Sequence, residues 1–399
     1  MTRLSILAIS HESLLYGAPR SLIFACLHLV QRHDIRLLTH GAGDLVSFAR
    51  EQGIDIKVLN PCNGVPDTTR APLTYRVEQA WLRVQRRLCK LARLGRVWRE
   101  ARIVDLVYVN TVLHSAPVLA AWLRKRPVVI HVREAENYLK PRGRALGRLS
   151  RMLGRARAVI CVSEAVRKLV LEVPGTGLRP DQVHTVYNGI HAEQFRPDPA
   201  QGQALRAQLG IAEDAPVVAF LGSMKPRKGL DLLMAAAQGL QAQNPDLHYI
   251  IGGGSAEDIA AFRAAHLPDA LAPRVHFLGF VQDVRPVLWA ADIFTMLSRV
   301  EPFARVNLEA SAAGCAVLAT AVDGNPEIFT HEDNALLVAS DDTDAIRDSL
   351  ARLVSDPALR DRLSARAQAV VTERFTMEAC HNQIEAILTD AVQAKRAVP

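Results

Sequence analysis

The sequence predicts an α/β protein built from two doubly wound domains, and three observations carry that expectation. Short apolar runs of strand length alternate with segments of helical length along nearly the whole chain, the rhythm of βα units that close on parallel sheets. That rhythm breaks once, near residues 190–205, where the turn pair Asn188-Gly189 is followed by Pro197 and Pro199. A chain of 399 residues, 49% hydrophobic and 22% charged, can bury two cores and is not chiefly disordered or fibrous.

In the first half the apolar runs predict strands near 4–9, 35–39, 55–59, 106–110, 128–132, 158–162 and 183–187, with helices filling most of the gaps. After the break, PVVAFLG, LHYIIGGG, RVHFLGF, ADIFTML and CAVLAT restart the alternation. Residues 190–205 are therefore expected to be a linker, with ligand loops at the carboxyl ends of the strands on either side of it. No apolar run reaches the roughly 20 residues of a membrane-spanning helix, so the chain is expected to be soluble and cytoplasmic. The six cysteines are scattered without a C-x-x-C pair, which points to reduced thiols rather than a disulfide framework or a zinc site.

Charge separates the halves. Residues 1–200 hold 31 Lys+Arg against 16 Asp+Glu, whereas residues 201–399 hold 17 against 25. Within the basic half, residues 70–157 carry 21 Lys+Arg and 5 Asp+Glu, so a negative partner is expected on that surface. Three readings stay open: a solvated helical face, an anionic membrane surface met by arginines alternating with Trp81, Leu82, Leu88, Leu91, Leu94 and Trp98, or nucleic acid. The last lacks a stacking platform or a known motif, and no nucleic acid is predicted.

The chemistry concentrates in SRVEPFARVNLEASAAGCAVLATAVDGNPEIF. A strand ends near residue 297, a loop carries Glu301-Pro302, and a helix is expected to begin near Ala304, offering unpaired N–H groups and a positive macrodipole to an anion. Glu309, eight residues after Glu301, lies about two turns into that helix. Glu164 and Glu172 have the same spacing without that context, and read as a solvated helix face. In FLGSMKPRKGL, Lys225, Arg227 and Lys228 gather at the mouth of a helix expected to open near Gly229, an arrangement suited to a departing diphosphate.

EPFARVNLEA followed by GNPEI resembles the E-x7-E region of the GT-B-fold retaining glycosyltransferases of family 4 (glycosyl transferases group 1). VSEAVRKLV, VYNGIHAEQFRP, FLGSMKPRKGLDLLMAA, IIGGG and HFLGF fit the same family in the same order. The resemblance implies two Rossmann-like domains facing across a cleft: an acceptor-side domain over 1–195 and a nucleotide-sugar domain over 196–399, with a C-terminal helix of about 376–396 packing back on the first. It implies further that Glu301 contacts the transferred sugar and Glu309 the ribose, that the backbone N–H groups of Phe303, Ala304, Arg305 and Val306 hold phosphate or sugar oxygens, and that Lys228 holds the leaving diphosphate. In such relatives the histidine corresponding to His131, in VVIHVREAE, faces the reacting sugar. Arg133 and Glu134 follow it in this sequence, and two readings stay open for them: pairing with each other or with acceptor groups.

The loop HESLLYGAPRSL resembles the family's glycine-rich loop, with Gly17-Ala18 in place of a glycine pair. Ser223 stands where many relatives carry Arg, so its phosphate contact is either missing or supplied by Arg227 or Lys225. Gly253, within Gly252 to Gly254, and the Phe280-Val281 turn are the implied walls of the nucleobase pocket.

The only D-x-D spacing considered as a metal motif, Asp342 and Asp344, precedes an amphipathic helix and reads as a cap, so no metal is predicted. No cofactor is expected beyond a UDP- or GDP-sugar donor. The expected reaction is retaining, metal-independent transfer of a hexosyl-type sugar to a glycan or lipid-linked acceptor in cell-surface polysaccharide or lipopolysaccharide assembly, on the cytoplasmic face of the inner membrane. The competing readings are an inactive GT-B subunit or polyanion-binding module, and, among enzymes, a sugar-nucleotide epimerase or a phosphorylase.

Overall fold

The computed structural model describes residues 2–15, 17–59, 91, 92 and 94–396. It divides into two compact units, Met1–Val186 with His381–Pro399, and Tyr187–Cys380. The first division thus falls at 186/187 rather than at 195/196, and the second lies inside the helix Met377–Arg396.

The first unit contains a seven-stranded, all-parallel sheet formed by β1 (Ser5–Ile9), β2 (Asp34–Thr39), β3 (Asp55–Val58), β4 (Leu106–Val109), β5 (Val128–Val132), β6 (Ala158–Cys161) and β7 (Val183–Thr185) in the order β3-β2-β1-β4-β5-β6-β7. Every residue of β4, β5 and β6 is buried, as expected where helices cover both faces, and His131 of β5 is the one residue that interrupts their apolar and aromatic runs. Each predicted strand is present, with ends displaced by no more than two residues.

The second unit repeats the plan with six parallel strands, β8 (Val217–Leu221), β9 (His248–Gly252), β10 (Val275–Gly279), β11 (Ile293–Met296), β12 (Ala316–Thr320) and β13 (Leu336–Val338), ordered β10-β9-β8-β11-β12-β13. Both sheets therefore have the order of the doubly wound Rossmann fold, which reverses between β1 and β4 in one and between β8 and β11 in the other. Loops leaving the two strands at such a point run to opposite sides and open a crevice at their carboxyl ends. The core of the second unit packs Phe220, Leu233, Tyr249, Ile251, Leu297 and Leu350, all at most 1% exposed.

The linker expectation for 190–205 is corrected: Ala192–Phe195 is a 3-10 turn and Pro199–Gln208 an α-helix. Pro199, read as a breaker, occupies the first helical turn where its missing N–H costs nothing, and Asp198 caps the helix by accepting from the Gln201 amide at 3.1 Å. Gly202 lets this helix press on Arg285–Ala290, since a Cβ there would run into the Trp289 carbonyl.

At the far end of the chain, buried Glu385 of the helix Met377–Arg396 accepts from Arg32 at 2.9 Å and lies 3.3 Å from His28 Nε2. His33 Nδ1 accepts the Leu4 amide, so its Nε2–H donates to Glu385, at 3.1 Å. These residues all belong to the first unit.

No helix among the described residues is long and apolar enough to cross a membrane. Cys26, Cys161 and Cys315 are buried free thiols and Cys380 a partly buried one, while Cys62 and Cys89 lie outside the described residues.

Candidate functional site

The second unit's site is built where its strand order reverses. β8 ends at Leu221, and Gly222, Ser223 and Met224 lead into a 3-10 turn, Pro226–Lys228, before the helix Leu230–Leu240. Gly229 makes that path possible. Its φ of +74° is left-handed, and a Cβ would collide with the Leu297 carbonyl beyond the end of neighbouring β11. The helix thus opens at Leu230, one residue after the expected Gly229.

From β11 the chain passes through Ser298 to Glu301, and the helix Arg305–Ala312 follows. The two loops meet in an ion pair, with Lys228 Nζ 2.5 Å from Glu301 Oε2 and side chains only 15% and 8% exposed. Glu301 also accepts from Ser298 Oγ at 3.2 Å, and its amide donates to Asp323 at 2.8 Å. Burial, the Lys228 ammonium and the Ser298 hydroxyl fix this carboxylate, and the Asp323 contact fixes its backbone, near a helix N-terminus where an anion is favoured.

The rest of the predicted wall is assembled by close backbone contacts. Gly222 donates to Gly252 O at 2.9 Å, and Gly253 to Gly279 O at 2.6 Å. Gly253 has φ +127°, and a Cβ there would strike the Gly222 carbonyl, so the loops after β8, β9 and β10 meet at backbone distance. Val281 sits against Gly252, and Phe280 is 72% exposed, a large aromatic ring held out in solvent beside this edge. Ser223 Oγ is buried without a hydrogen-bond partner among the described residues, whereas Lys225 and Arg227 are exposed.

On the other side, Phe303 and Ala304 are buried, and Phe303 stacks on Tyr187 at 5.3 Å and packs near Phe375 at 5.7 Å. Asn188 donates to the Phe303 carbonyl at 3.2 Å. Phe303 is therefore an anchor for the helix start, a role its position in the motif did not reveal. Arg305 lies 3.7 Å from Glu309, one turn along, with both side chains largely buried. Val306 follows Arg305 in the first turn, where amides have no intrahelical acceptor.

The first unit places the remaining predicted residues separately. His131 ends its side chain inside the protein, 1% exposed, on β5. Its Nδ1 is 2.6 Å from the Tyr108 hydroxyl and 3.3 Å from a guanidinium nitrogen of Arg133. An arginine can only donate, so Nδ1 is the acceptor and the neutral ring carries its proton on Nε2, which is buried with no partner among the described residues. Burial, reinforced by the Arg133 charge, pushes the His131 pKa well below the ordinary imidazole value.

Glu134 accepts from the Arg133 amide at 3.0 Å and from the Thr111 hydroxyl, while Arg133 Nε donates to Asn110 at 2.6 Å. Gly17, at φ +53°, opens the helix Gly17–Leu29, and the Ala18 carbonyl accepts from Asn110 at 2.9 Å, which joins the loops after β1 and β4.

Asp342 accepts from the Ala345 amide at 2.9 Å and caps the helix Thr343–Ser355, while Asp344 pairs with Arg347 at 2.7 Å. No group of three or more metal-ligating side chains occurs among the described residues. Glu164 pairs with Arg167, at 3.0 Å, and with Thr185.

Of the basic stretch, residues 70–90, with Trp81, Leu82 and Leu88, lie outside the described residues. In the described part, Arg124 stacks over Trp98 at 3.1 Å and Arg155 over Trp122 at 4.8 Å, with Trp98, Ile103, Trp122 and Leu123 each 40–52% exposed.

Comparison with known proteins decides the family. The family described as Glycosyltransferase Family 4 matches residues 17–194, and Glycosyl transferases group 1 matches residues 202–370. The chain belongs to the GT-B, family 4 glycosyltransferases. It is 33% identical over 233 residues to a D-inositol 3-phosphate glycosyltransferase of Saccharomonospora viridis, covering 54% of this chain and 52% of that protein. Over 216 residues it is 35% identical to an alpha-maltose-1-phosphate synthase of Mycolicibacterium smegmatis, covering 51% and 55%. The chain thus spans about half the length of these curated relatives. Among solved structures, HepE of Anabaena in complex with UDP and glucose superposes with a TM-score of 0.80 over 97% of this chain and 100% of that one, at 23% identity, which is a likeness of fold.

Proposed function

We propose that this GT-B family member transfers a hexosyl-type sugar from a UDP- or GDP-sugar to a hydroxyl of a glycan or lipid-linked acceptor, with retention of anomeric configuration and without a metal ion. The observation that carries the reading is the Lys228–Glu301 pair, largely buried at 2.5 Å and fixed where the strand order of the second unit reverses. The second unit is assigned the nucleotide sugar and the first the acceptor.

In this mechanism the bond from the anomeric carbon to the diphosphate breaks and its electron pair leaves on the phosphate oxygen. Lys228, the helix N-termini and the amides from Phe303 to Val306 hold that charge in place of a metal. The acceptor oxygen bonds to the carbon on the same face, and its proton passes to the departing phosphate. Glu301 accepts hydrogen bonds from the sugar's hydroxyls. His131, kept neutral by burial, acts as an Nε2–H donor to a sugar oxygen rather than as an acid. Glu309 receives the ribose, Phe280 and Val281 flank the base, and Ser223 Oγ, buried and without a partner among the described residues, serves a phosphate oxygen together with Arg227.

The enzyme is further assigned to cell-surface polysaccharide assembly, peripherally on the cytoplasmic face of the inner membrane. Support for the peripheral position comes from the exposed Trp98, Ile103, Trp122 and Leu123, with arginines over both tryptophans.

The test is calorimetric titration of the purified protein with UDP, GDP, ADP and their sugar conjugates in EDTA. Saturable binding of one nucleotide family without metal is expected. A cooperatively melting protein that binds none of them would remove the reading.

A further inference from the structure

We propose that Arg299 is a positioning residue of the nucleotide-sugar site: it locks the loop bearing Lys228 to the loop bearing Glu301 and neutralises the carboxylate of Asp231 at the mouth of the helix Leu230–Leu240. This rests on the reading of that site given above and gives a role to a residue of the SRVEPF stretch to which none was assigned.

The guanidinium is used on three sides. Nη1 and Nη2 donate to the two oxygens of Asp231 at 3.0 and 2.7 Å, a bidentate pair. Nε donates to Asp341 at 2.6 Å, and Nη1 also donates to the Pro226 carbonyl. The Arg299 amide donates to the Arg227 carbonyl at 2.8 Å. Main chain and side chain therefore both grip the 3-10 turn Pro226–Lys228, from a residue two places before Glu301. Lys228 and Glu301 are 73 positions apart in sequence, and this grip fixes the distance between their backbones.

Charge gives the second half of the argument. Asp231 sits in the first turn of the helix whose N-terminus is offered to the diphosphate. Unpaired, its carboxylate would oppose an anion at the same place. Arg299 prevents this, with side chains of the pair only 27% and 24% exposed. On the remaining side, Asp341 holds a left-handed φ of +63°, uncommon for a residue with a Cβ, and so presents its carboxylate to Arg299. Lysine has one point charge and cannot make the bidentate pair together with the third and fourth contacts.

The experiment compares kcat and KM for donor and acceptor in the parent, R299K, R299Q, D231N/R299Q and D341N, with active molecules counted by nucleotide-binding stoichiometry. R299Q is expected to lose about tenfold or more in kcat per active molecule and to raise donor KM about fivefold, with acceptor KM unchanged. D231N/R299Q is expected to recover donor KM to within about twofold while kcat stays low, because the charge is removed but the lock is not restored. R299K should fall between R299Q and the parent. D341N, which alters the more exposed partner, provides a milder variant should R299Q fold poorly, and is expected to lower kcat about two- to fivefold.

Parent-like kcat and donor KM in R299Q, or in D341N where R299Q does not fold, would overturn the inference while leaving the proposed function standing. A loss that disappears when divided by active molecules would overturn it too, since that marks a merely structural role. A parent that binds no nucleotide sugar would sink both.

Discussion

Replacing Lys228 by methionine keeps much of the side chain's length and removes only its charge. In the structure that charge faces Glu301 at 2.5 Å, with the two side chains 15% and 8% exposed. Breaking such a largely buried pair by removing one partner costs about 3–5 kcal/mol. Here that figure is a ceiling, because the carboxylate keeps the Ser298 hydroxyl at 3.2 Å. The chemical step has its own cost: losing one preorganised group opposite developing charge removes about 2.7–4 kcal/mol, or 10²–10³ in kcat. The two costs separate in the double variant. Adding E301Q to K228M eliminates the orphaned charge, so chemical-denaturation stability should recover by about 1–3 kcal/mol over K228M alone. Turnover should not recover. The assay is steady-state release of nucleoside diphosphate by each variant, paired with urea unfolding. If K228M kept kcat within about threefold of the parent, the assignment of Lys228 to the leaving group would be refuted.

Three further outcomes are expected. His248, buried and close to the Arg274 and His276 side chains, has its pKa lowered to about 4 by burial first and Arg274's charge second. A histidine depressed on folding is neutral in the native state, so its contribution is complete above about pH 6.5 and is lost as pH falls towards 4, by up to about 1.4 kcal/mol per pH unit. Urea melts of H248Q should show a flatter stability profile over that window than the parent. Gly229→Ala should destabilise by about 1–3 kcal/mol, because the left-handed φ of +74° and the Leu297 carbonyl leave no room for a Cβ, and differential calorimetry would show it as a lowered transition. Phe280→Ala should leave the melting temperature unchanged, since the ring is 72% exposed, yet weaken nucleotide binding by about 1–3 kcal/mol if the ring stacks on the base; equal affinity in titration would remove it from the pocket.

The fold was legible because a parallel sheet covered on both faces writes its strands as continuous apolar runs. β4, β5 and β6 are buried at every position, and their ends were misjudged by a single residue or not at all. β13, Leu336–Val338, was not read from the sequence. Pro199 misled because proline disrupts a helix interior but suits its first turn, and only the Asp198 cap distinguishes the two cases.

At the site, the local signals were readable where a glycine or a helix start lay within the motif, as at Gly229 and Ala304. What the sequence could not supply were partners brought together by the fold. Arg299 reaches Asp231, 68 positions away, and Asp341, 42 away, so its importance is invisible in SRVEPF itself. The Phe303 ring is held by Tyr187 and Phe375 from distant segments, a packing role separate from the backbone amide role its place in the motif implies. The charge excess over 70–157 was evident, whereas the stacking of Arg124 on Trp98 and of Arg155 on Trp122 required coordinates.

The decisive measurement is proton NMR of the reaction of the purified enzyme with α-linked UDP- and GDP-sugars and a panel of glycan and lipid-linked acceptors in EDTA. An α-configured product formed alongside free nucleoside diphosphate, and lost in both K228M and E301Q, is the predicted result. A β-configured product, or turnover that appears only when a divalent metal is restored, would contradict the mechanism derived from the Lys228–Glu301 site.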